Sequence, residues 1–387
     1  MNLPVYLDYS ATTPVDPRVV DAMLPYFNEY FGNPSSIHRY GQRAEAAVES
    51  ARETVAAALN CRPEEVVFTS CGSESDNLAL RGAALAMRAR TGATWILTSP
   101  LEHPAVTKTV EHLVKYNGFQ VEWLDADEYG MVHPETVGKV ICHETAVVSV
   151  MLANNEIGTV NPVAEIAAVC RAKGVPFHTD AVQAAAYLPV DVQSLGVDML
   201  AIGAHKFYGP KGVGALYVRK GTPLVPHLTG GGQESGLRAG TSNVPYIVGL
   251  AEALRLTVDE QEARTAHVKP LRDQIIGSVL ESVPDSRLTG HSDSRLPGHC
   301  SFVFRGVDGN SLLQLLDAAG FACSSGSACK TGNPEPSEVL KSLELPREWA
   351  LGSLRVTLGA QTSAGDVGRF LDVLPGLVEK NRKRSVM

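Results

Sequence analysis

The sequence predicts an α/β fold in which helices cover a mainly parallel sheet, with a smaller domain after it. From about residue 43 to 255, helical stretches alternate with short runs rich in Val, Ile and Leu, as in sheets with crossover helices. At 387 residues, the chain also exceeds the usual size of one domain. We therefore expect a large domain at 16–255 and a small domain built from 1–15 and 256–387.

The individual elements are predicted from apolar runs and helical spacing. In the large domain, they are helices at 44–60 and 73–90 and strands at 66–69, 95–98, 147–152, 175–180 and 198–204. In the small domain, they are a helix at 256–283, a strand at 300–304, a helix at 310–319 and a strand at 320–323. The arm at 7–14 is too short to fold alone, so we expect it to pack on the small domain or across a functional site.

The composition is typical of a compact globular protein and argues against several functional classes. The chain has 44% hydrophobic and 20% charged residues, without biased or repeated segments. A formal net charge of −8 argues against direct nucleic-acid binding. No basic N-terminal segment precedes an apolar stretch, and no run of about 18 apolar residues occurs, so neither secretion nor membrane insertion is expected.

The cysteines indicate a reducing compartment. There are seven of them, an odd number, and they are scattered without a Cys-x-x-Cys pair. This pattern disfavours a disulfide framework and a zinc site. We therefore expect a cytoplasmic protein without a metal site.

A lysine and an aspartate at neighbouring strand ends indicate the chemistry. Lys206 follows the predicted strand at 198–204, and Asp180 ends the one at 175–180. Because the carboxyl ends of parallel strands meet at one edge of the sheet, both side chains are expected to face one crevice. A lysine amine can hold an aldehyde cofactor as a Schiff base, and a carboxylate can keep a pyridine nitrogen protonated. The pair suggests a pyridoxal phosphate enzyme.

Two nearby segments offer contacts to such a cofactor. A strand runs through Gly72 into a helix, whose first N–H groups suit a phosphate, so Gly72 and Ser73 are candidates. An N-capping serine is the alternative interpretation. His103 follows the strand at 95–98, where its imidazole could lie over an aromatic ring and exchange protons, or could be structural.

Polar side chains at other strand ends are candidate substrate contacts. Asn154 and Asn155 follow one strand, and Gln183 lies just beyond Asp180. Their amides can hydrogen-bond a phenolic oxygen or a carboxylate, and a turn or cap role stays open for each. Arg355 lies in a strand-like segment, where a buried guanidinium needs a substrate carboxylate or an intramolecular anion as its partner.

A loop of small residues at about 321–336 carries a candidate nucleophile. Cys329 lies there among Ser, Gly, Ala, Asn and Pro residues that cannot build a core. Thiolate is the reactive form of cysteine, and the adjacent Lys330 favours it. From Cys323, six extended residues could carry Cys329 up to about 20 Å, into a cofactor cleft and out again. Cys323 itself is either a relay thiol or a small apolar residue.

Five motifs spread over nearly the whole chain carry a family resemblance. They are Leu-Asp-Tyr-Ser-Ala-Thr-Thr-Pro (7–14), Ser-Glu-Ser-Asp-Asn (73–77), Ala-Asn-Asn-Glu-Ile-Gly-Thr (153–159), His-Lys-Phe-Tyr-Gly-Pro-Lys-Gly (205–212) and Ser-Ser-Gly-Ser-Ala-Cys (324–329). Together they resemble those of cysteine desulfurases of the NifS/IscS type, in the class V aminotransferase family. The resemblance implies the aspartate aminotransferase-like fold (fold type I) of pyridoxal phosphate enzymes, with a mainly parallel seven-stranded sheet and a smaller α/β C-terminal domain.

The resemblance also implies a role for each candidate residue. Lys206 would carry pyridoxal 5'-phosphate, Asp180 would pair with the pyridine nitrogen, and Gln183 would contact the phenolic oxygen. His103 would stack on the ring as a catalytic residue. The remaining roles are phosphate contacts for Ser73 and His205, substrate-carboxylate contacts for Asn154 and Arg355, and, for Thr241, the phosphate of the neighbouring subunit's cofactor in a homodimer.

By the same resemblance, the reaction is removal of sulfur from L-cysteine. The products would be L-alanine and a persulfide on Cys329, which a sulfur-acceptor protein would receive for iron–sulfur cluster assembly or for tRNA or DNA thiolation. A selenocysteine lyase or another class V aminotransferase is an alternative that does not need the Cys329 loop.

A sulfur-delivery scaffold with weakened catalysis is an alternative of another class, and three departures from the family pattern bear on it. Gly203 stands where the family often has a phosphate-binding serine, Ser235 replaces an arginine, and Cys71 replaces a turn glycine. The phosphate contacts of this chain are therefore expected to differ from those of the family.

Overall fold

The structure is a computed structural model that describes residues 3–325 and 335–385. The strands are β1 (Val5–Tyr6), β2 (Val66–Thr69), β3 (Trp95–Thr98), β4 (Gln120–Trp123), β5 (Thr145–Ser149), β6 (Phe177–Asp180), β7 (Met199–Gly203), β8 (Gly214–Val218), β9 (Ser286–Leu288), β10 (His299–Phe304), β11 (Phe321–Ala322) and β12 (Ser353–Thr357). The helices are α1 (Pro17–Met23), α2 (Pro25–Asn28), α3 (Arg39–Leu59), α4 (Gly72–Thr91), α5 (Pro104–Asn117), α6 (Pro134–Val140), α7 (Val163–Lys173), α8 (Val192–Leu195), α9 (Val244–Ser282), α10 (Gly309–Ala318), α11 (Glu338–Ser342), α12 (Arg347–Ala350) and α13 (Ala364–Ser385). Within the described ranges, no helix is both long and apolar enough to cross a bilayer.

The central sheet confirms the predicted fold class. Its seven strands have the order β2-β8-β7-β6-β5-β3-β4, and every neighbouring pair is parallel except the two that involve β8. Every residue of β5, β6, β7 and β8 is buried, because helices cover both faces of the sheet. This double coverage explains the apolar runs of β7 and of the middle of β5, whereas β6 also buries the polar side chains of His178, Thr179 and Asp180.

The core around the seven-stranded sheet, the large core, consists of two apolar clusters, one on each face of the sheet. In β7, Leu200 and Ile202 pack in a cluster with side chains of α3, α7 and α9, whereas Met199 and Ala201 pack with side chains of α4 and α5. Successive side chains of a strand point to opposite faces, so each helical layer covers one face.

A separate apolar cluster surrounds the three-stranded sheet β12-β10-β9. Phe302 and Leu354 from the sheet pack there against Leu312 of α10 and Phe370 of α13. All four side chains are fully buried, so this part of the chain has a hydrophobic core of its own, the small core.

Helix α9 begins twelve residues before the expected start at 256. Pro245 stands in its first turn, where the missing N–H is not needed, so the helix extends back to Val244. Leu250 packs in the large core, and Ile275 packs in the small one. The expected boundary between 255 and 256 therefore falls inside one continuous helix, and the division into two domains stays a prediction.

The N-terminal arm joins the two cores, which satisfies both placements expected for it. Strand β1 pairs in parallel with β11, and Leu7 is fully buried in the small core. Thr13 donates its backbone N–H to the carbonyl oxygen of His205, at 2.9 Å. The arm thus runs from the small core to the end of β7.

Truncating Leu312 tests whether the small core stabilises the fold. Leu312→Ala removes a fully buried side chain and should lower the free energy of unfolding by about 2–5 kcal/mol. The matched variant Leu280→Ala, at a helical position 44% exposed, should cost less than about 0.5 kcal/mol. Urea unfolding followed by circular dichroism measures both, and equal losses would contradict the assigned packing.

Candidate active site

The parallel register of β6 and β7 brings the predicted lysine and aspartate to one edge of the sheet. Asp180 is the last residue of β6 and pairs with Ala201 of β7. After β7, a single 3-10 turn at Ala204–Lys206 carries Lys206 over the same edge. The structure therefore brings these two side chains together, as the strand-end argument predicts.

The Lys206 amine is half-buried and held by the N-terminal arm. Its Nζ atom donates to the carbonyl oxygens of Ser10, at 2.5 Å, and Ala11, at 2.8 Å. Burial, and then the charge of Arg355, lowers the pKa of Lys206 to about 8, against the raising effects of Asp180 and Asp8. The uncharged, nucleophilic amine is therefore accessible near neutral pH.

Asp180 and His103 lie side by side in this site. One nitrogen of His103, one carboxylate oxygen of Asp180 and one of Asp76 all lie within 4.8 Å of one another. Burial, and then the charge of Asp76, raises the pKa of Asp180 to about 7. His103 Nδ1 accepts the N–H of Ala105 at the start of α5, at 3.1 Å, so Nε2 is the nitrogen left for proton exchange.

Three buried polar side chains behind Asp180 were not singled out from the sequence. His178 Nε2 lies 3.5 Å from Asp76 Oδ1, and Glu102 accepts the N–H of Met151 at 2.7 Å. Burial raises the pKa of both carboxyl groups and lowers that of His178 to about 4, so it favours their neutral forms. Strand alternation could have found His178, because it points to the same face of β6 as Asp180.

Gln183 and His205 contact the arm rather than each other. Gln183 Nε2 donates to the Ser10 carbonyl, at 2.8 Å, which also accepts from Lys206. His205 Nδ1 lies 3.2 Å from Thr12 Oγ1, and burial, with the charge of Lys206, lowers its pKa to about 4. Both predicted cofactor contacts thus border the site, and their roles stay predictions.

The predicted phosphate cradle lies where α4 begins. Gly72 is the first residue of α4, and a Cβ atom on it would lie 2.5 Å from Cγ2 of Val182, so only glycine permits this approach to the turn after Asp180. Ser73 is exposed at the same helix end. A Cβ atom on Gly203 would lie 3.4 Å from the Gly72 nitrogen, so the serine that this chain lacks would have stood beside the helix N-terminus.

Arg355 has an intramolecular anionic partner, the alternative left open by the sequence. Its Nη2 atom lies 2.8 Å from Asp8 Oδ1, and its Nη1 atom donates to the Asn155 carbonyl at 2.9 Å. The buried Nε atom has no hydrogen-bond partner among the residues that the structure describes. The guanidinium is therefore oriented by two contacts, and its buried Nε–H group takes part in neither of them.

Asn154 forms the turn that follows β5. Its Oδ1 atom accepts the N–H groups of Glu156 and Ile157, and Nδ2 donates to the Leu101 carbonyl at 2.8 Å. The amide thus has the turn role that the sequence left open, and contact with a substrate carboxylate stays a prediction. The same turn presents the Asn155 carbonyl to Arg355.

The remaining predicted residues lie away from this cluster or outside the described ranges. Thr241 is exposed before α9 and lines a surface cavity of about 230 Å³ with Ser70 and Arg238. Cys329 lies outside the described residues. Cys323 is described, and burial raises the pKa of its thiol far above the usual range, which favours the apolar interpretation over a relay thiol.

Comparisons with known proteins agree over nearly the whole chain. The family model described as Aminotransferase class-V matches residues 5–370. "Cysteine desulfurase IscS" of Dictyoglomus turgidum is 45% identical over 382 residues, which cover 99% of this chain and 96% of the relative. A solved "NIFS-LIKE PROTEIN" has a TM-score of 0.90 at 36% identity and covers 98% of this chain and 100% of its own. The structure "SspA in complex with cysteine" has a TM-score of 0.79 at 34% identity, with 92% and 99% covered.

The pH dependence of labelling tests the buried state of Lys206. In the cofactor-free protein, reaction of this amine with an amine-selective reagent should have its midpoint near pH 8, instead of near the ordinary lysine pKa of 10.5. The neutral amine is the reactive form, so labelling rises as the pH rises through this midpoint. Peptide mass spectrometry measures it, and a midpoint at the ordinary value would contradict the assigned burial.

Proposed function

The chain belongs to the class V aminotransferase family and, within it, to the cysteine desulfurases of the NifS/IscS type, and from this premise we propose a pyridoxal phosphate-dependent reaction on L-cysteine. Sulfur passes to Cys329 as a persulfide, and L-alanine is released. The observation that carries the proposal is the convergence of a half-buried amine and a buried carboxyl at one sheet edge, where Asp180 acts electrostatically on Lys206.

The residues at this edge fit the proposed cofactor. Lys206 supplies an amine with a lowered pKa, and Asp180 supplies a carboxyl for a ring nitrogen. The start of the long helix α4 at Gly72 supplies N–H groups that suit a phosphate. When bound, pyridoxal phosphate supplies an electron-accepting ring that stabilises negative charge at the α-carbon of the substrate.

The protein's own residues bind the substrate and move its protons. We assign the substrate carboxylate to Arg355, whose buried guanidinium requires an anion. Lys206 takes the α-proton as a base, since its lowered pKa makes the neutral amine available near neutral pH. His103 exchanges protons beside Asp180 through Nε2, because Nδ1 is committed to the start of α5.

Sulfur transfer is assigned to Cys329. Its thiolate attacks the substrate sulfur, so that a sulfur–sulfur bond forms as the carbon–sulfur bond breaks, and the carbon fragment takes up protons to become alanine. Ser324 exchanges backbone hydrogen bonds with Arg355, at 2.7 and 3.2 Å, so the Cys329 loop begins beside the proposed carboxylate contact. From Ser325, four extended residues reach about 13 Å, enough to approach the substrate.

The destination of the sulfur is a further part of the proposal. A persulfide is transferable to another thiolate, so we propose that a sulfur-acceptor protein collects it. The described cysteines are free thiols, which fits a cytoplasmic setting where thiols stay reduced.

We also propose a homodimer, supported by an apolar patch of exposed side chains on α1, α2, the loop after α2 and the start of α3. Ile37 is 93% exposed and Phe31 is 65% exposed, and the Phe31 ring lies 5.5 Å from that of Tyr40. Contiguous exposed apolar groups of this kind mark contact surfaces. The patch comprises Val20, Leu24, Phe27, Phe31, Ile37 and Tyr40.

The loop of Thr241 adjoins this patch. Phe27 packs edge-to-face on Tyr246, with ring centroids 6.3 Å apart, and Tyr246 lies in the first turn of α9, just after Thr241. A second copy of the chain on the patch would therefore lie next to Thr241, as its proposed role at the neighbouring cofactor requires.

Replacing the proposed nucleophile tests the reaction. Cys329→Ser should bind pyridoxal phosphate with an unchanged absorption band, because Lys206 and Asp180 are untouched. Its rate of alanine formation from L-cysteine should be lower by about 10³-fold or more, because the hydroxyl is a far weaker nucleophile than the thiolate. Cys142→Ser, at an exposed thiol, is the control and should keep full activity. Unchanged turnover in Cys329→Ser would exclude Cys329 as the sulfur carrier.

Charging the apolar patch tests the homodimer. Ile37→Glu places a carboxylate in the proposed contact and should shift the protein from dimer to monomer in light scattering at micromolar concentration, since burying an unpaired charge is costly. Val258→Glu, at a helical position 45% exposed, is the control and should stay dimeric. A wild-type monomer, or a fully dimeric Ile37→Glu, would contradict the proposed interface.

A further inference from the structure

The Arg355 guanidinium is paired with a carboxylate from the N-terminal arm. Asp8 Oδ1 lies 2.8 Å from Arg355 Nη2, and the two side chains are 18% and 9% exposed. The Arg355 Nε atom, also buried, has no hydrogen-bond partner among the described residues. Asp8 therefore occupies only part of the guanidinium and leaves its Nε–H group unpaired.

The backbone around Asp8 is fixed, so only its side chain is free to leave. Leu7 donates its N–H to Ala322 and accepts the N–H of Thr357, each at 2.8 Å. On the other side, the Ser10 N–H donates to Thr357 Oγ1, at 2.9 Å. A change of side-chain rotamer at Asp8 is therefore sufficient to uncover Arg355, without movement of the arm.

Exchange of one carboxylate for another is the least costly way to free Arg355. A buried guanidinium without an anion loses a large part of its stabilisation, so removal of Asp8 alone is expensive. An amino-acid substrate brings a carboxylate of the same charge and geometry, and it keeps the guanidinium paired throughout. Two carboxylates on one guanidinium would repel each other, which favours exchange over sharing.

Other charged groups around Arg355 do not replace Asp8. Glu156 lies near enough for its charge to interact with Arg355, but burial raises its pKa and favours the neutral form. His299 is fully buried, and burial, Arg295 and Arg355 together hold its pKa well below the usual value. Lys206 adds a second positive group to the same region. Asp8 is thus the anion that balances Arg355 in the substrate-free site.

We propose that the Asp8 carboxylate occupies the place of the substrate carboxylate on Arg355 in the free enzyme. It leaves Arg355 when the amino acid binds. This inference rests on the proposed function, because that function assigns Arg355 to the substrate. Asp8 is therefore a positioning residue that competes with the substrate, and it sets the apparent affinity for L-cysteine.

The variant Asp8→Asn tests whether Asp8 competes with the substrate for Arg355 or only supports the Arg355 side chain. In the holoenzyme, the amide should lower KM for L-cysteine roughly three- to tenfold, with kcat changed less than about twofold, because a competing anion is removed. The same variant should unfold at a lower temperature without ligand, since Arg355 loses its partner, and L-alanine should raise that temperature more than in the wild type. Asp372→Asn, at an exposed position of α13, should change none of these values.

An unchanged or raised KM in Asp8→Asn would overturn the proposal, because it would mean that Asp8 only supports Arg355. If the wild-type enzyme forms no alanine from L-cysteine, the proposed function fails, and the L-alanine stabilisation still decides the role of Asp8.

If Asp8→Asn does not fold, a crystal structure of the wild-type holoenzyme with L-alanine decides the question. The alanine carboxylate on Arg355 with Asp8 turned away supports exchange, and an intact Asp8–Arg355 contact overturns it.

Discussion

The parallel pairing of β6 with β7 is the constraint on which the proposed site depends. Asp180 and Lys206 are 26 residues apart in the chain, and neither is positioned by its own neighbours. The register of the two strands brings both to one edge, where Arg355 and the N-terminal arm meet them from the small core. The burial of β6 and β7 on both faces holds this register, since a slip of one residue would move every side chain to the other face.

Burial at this edge gives ordinary side chains unusual protonation behaviour. It lowers the pKa of Lys206 and raises the pKa of Asp180, so both groups move toward neutrality in the free protein. The Ser10 and Ala11 carbonyls compensate part of the cost of burying the amine, and Asp8 does so for the guanidinium. The N-terminal arm is therefore a structural part of the proposed active site rather than a linker that leads to it.

The strand-end residues were predictable from the sequence, whereas the arm's contacts were not. The predicted strands at 175–180 and 198–204 match β6 and β7, and Asp180 ends the first of them. Lys206 follows the second by a single turn. The contacts of Ser10 and Ala11 with Lys206 use backbone carbonyls, which every residue has and no sequence pattern marks. The expected start of α9 at 256 was wrong, because residues 244–255 belong to the same helix and Pro245 lies in its first turn, where proline is tolerated. For Asn154 the sequence pattern was ambiguous, because an amide that can bind a substrate carboxylate can also stabilise a turn, as it does here.

Identification of the amine that holds the cofactor tests the central claim most directly. The protein is incubated with pyridoxal phosphate, reduced with borohydride and digested, and the peptides are analysed by mass spectrometry. The account predicts one stable pyridoxyl-phosphate adduct, on Lys206, and its loss when Lys206→Ala is treated in the same way. An adduct confined to other lysines, or an equal yield in Lys206→Ala, would contradict the convergence of Lys206 and Asp180 on one cofactor.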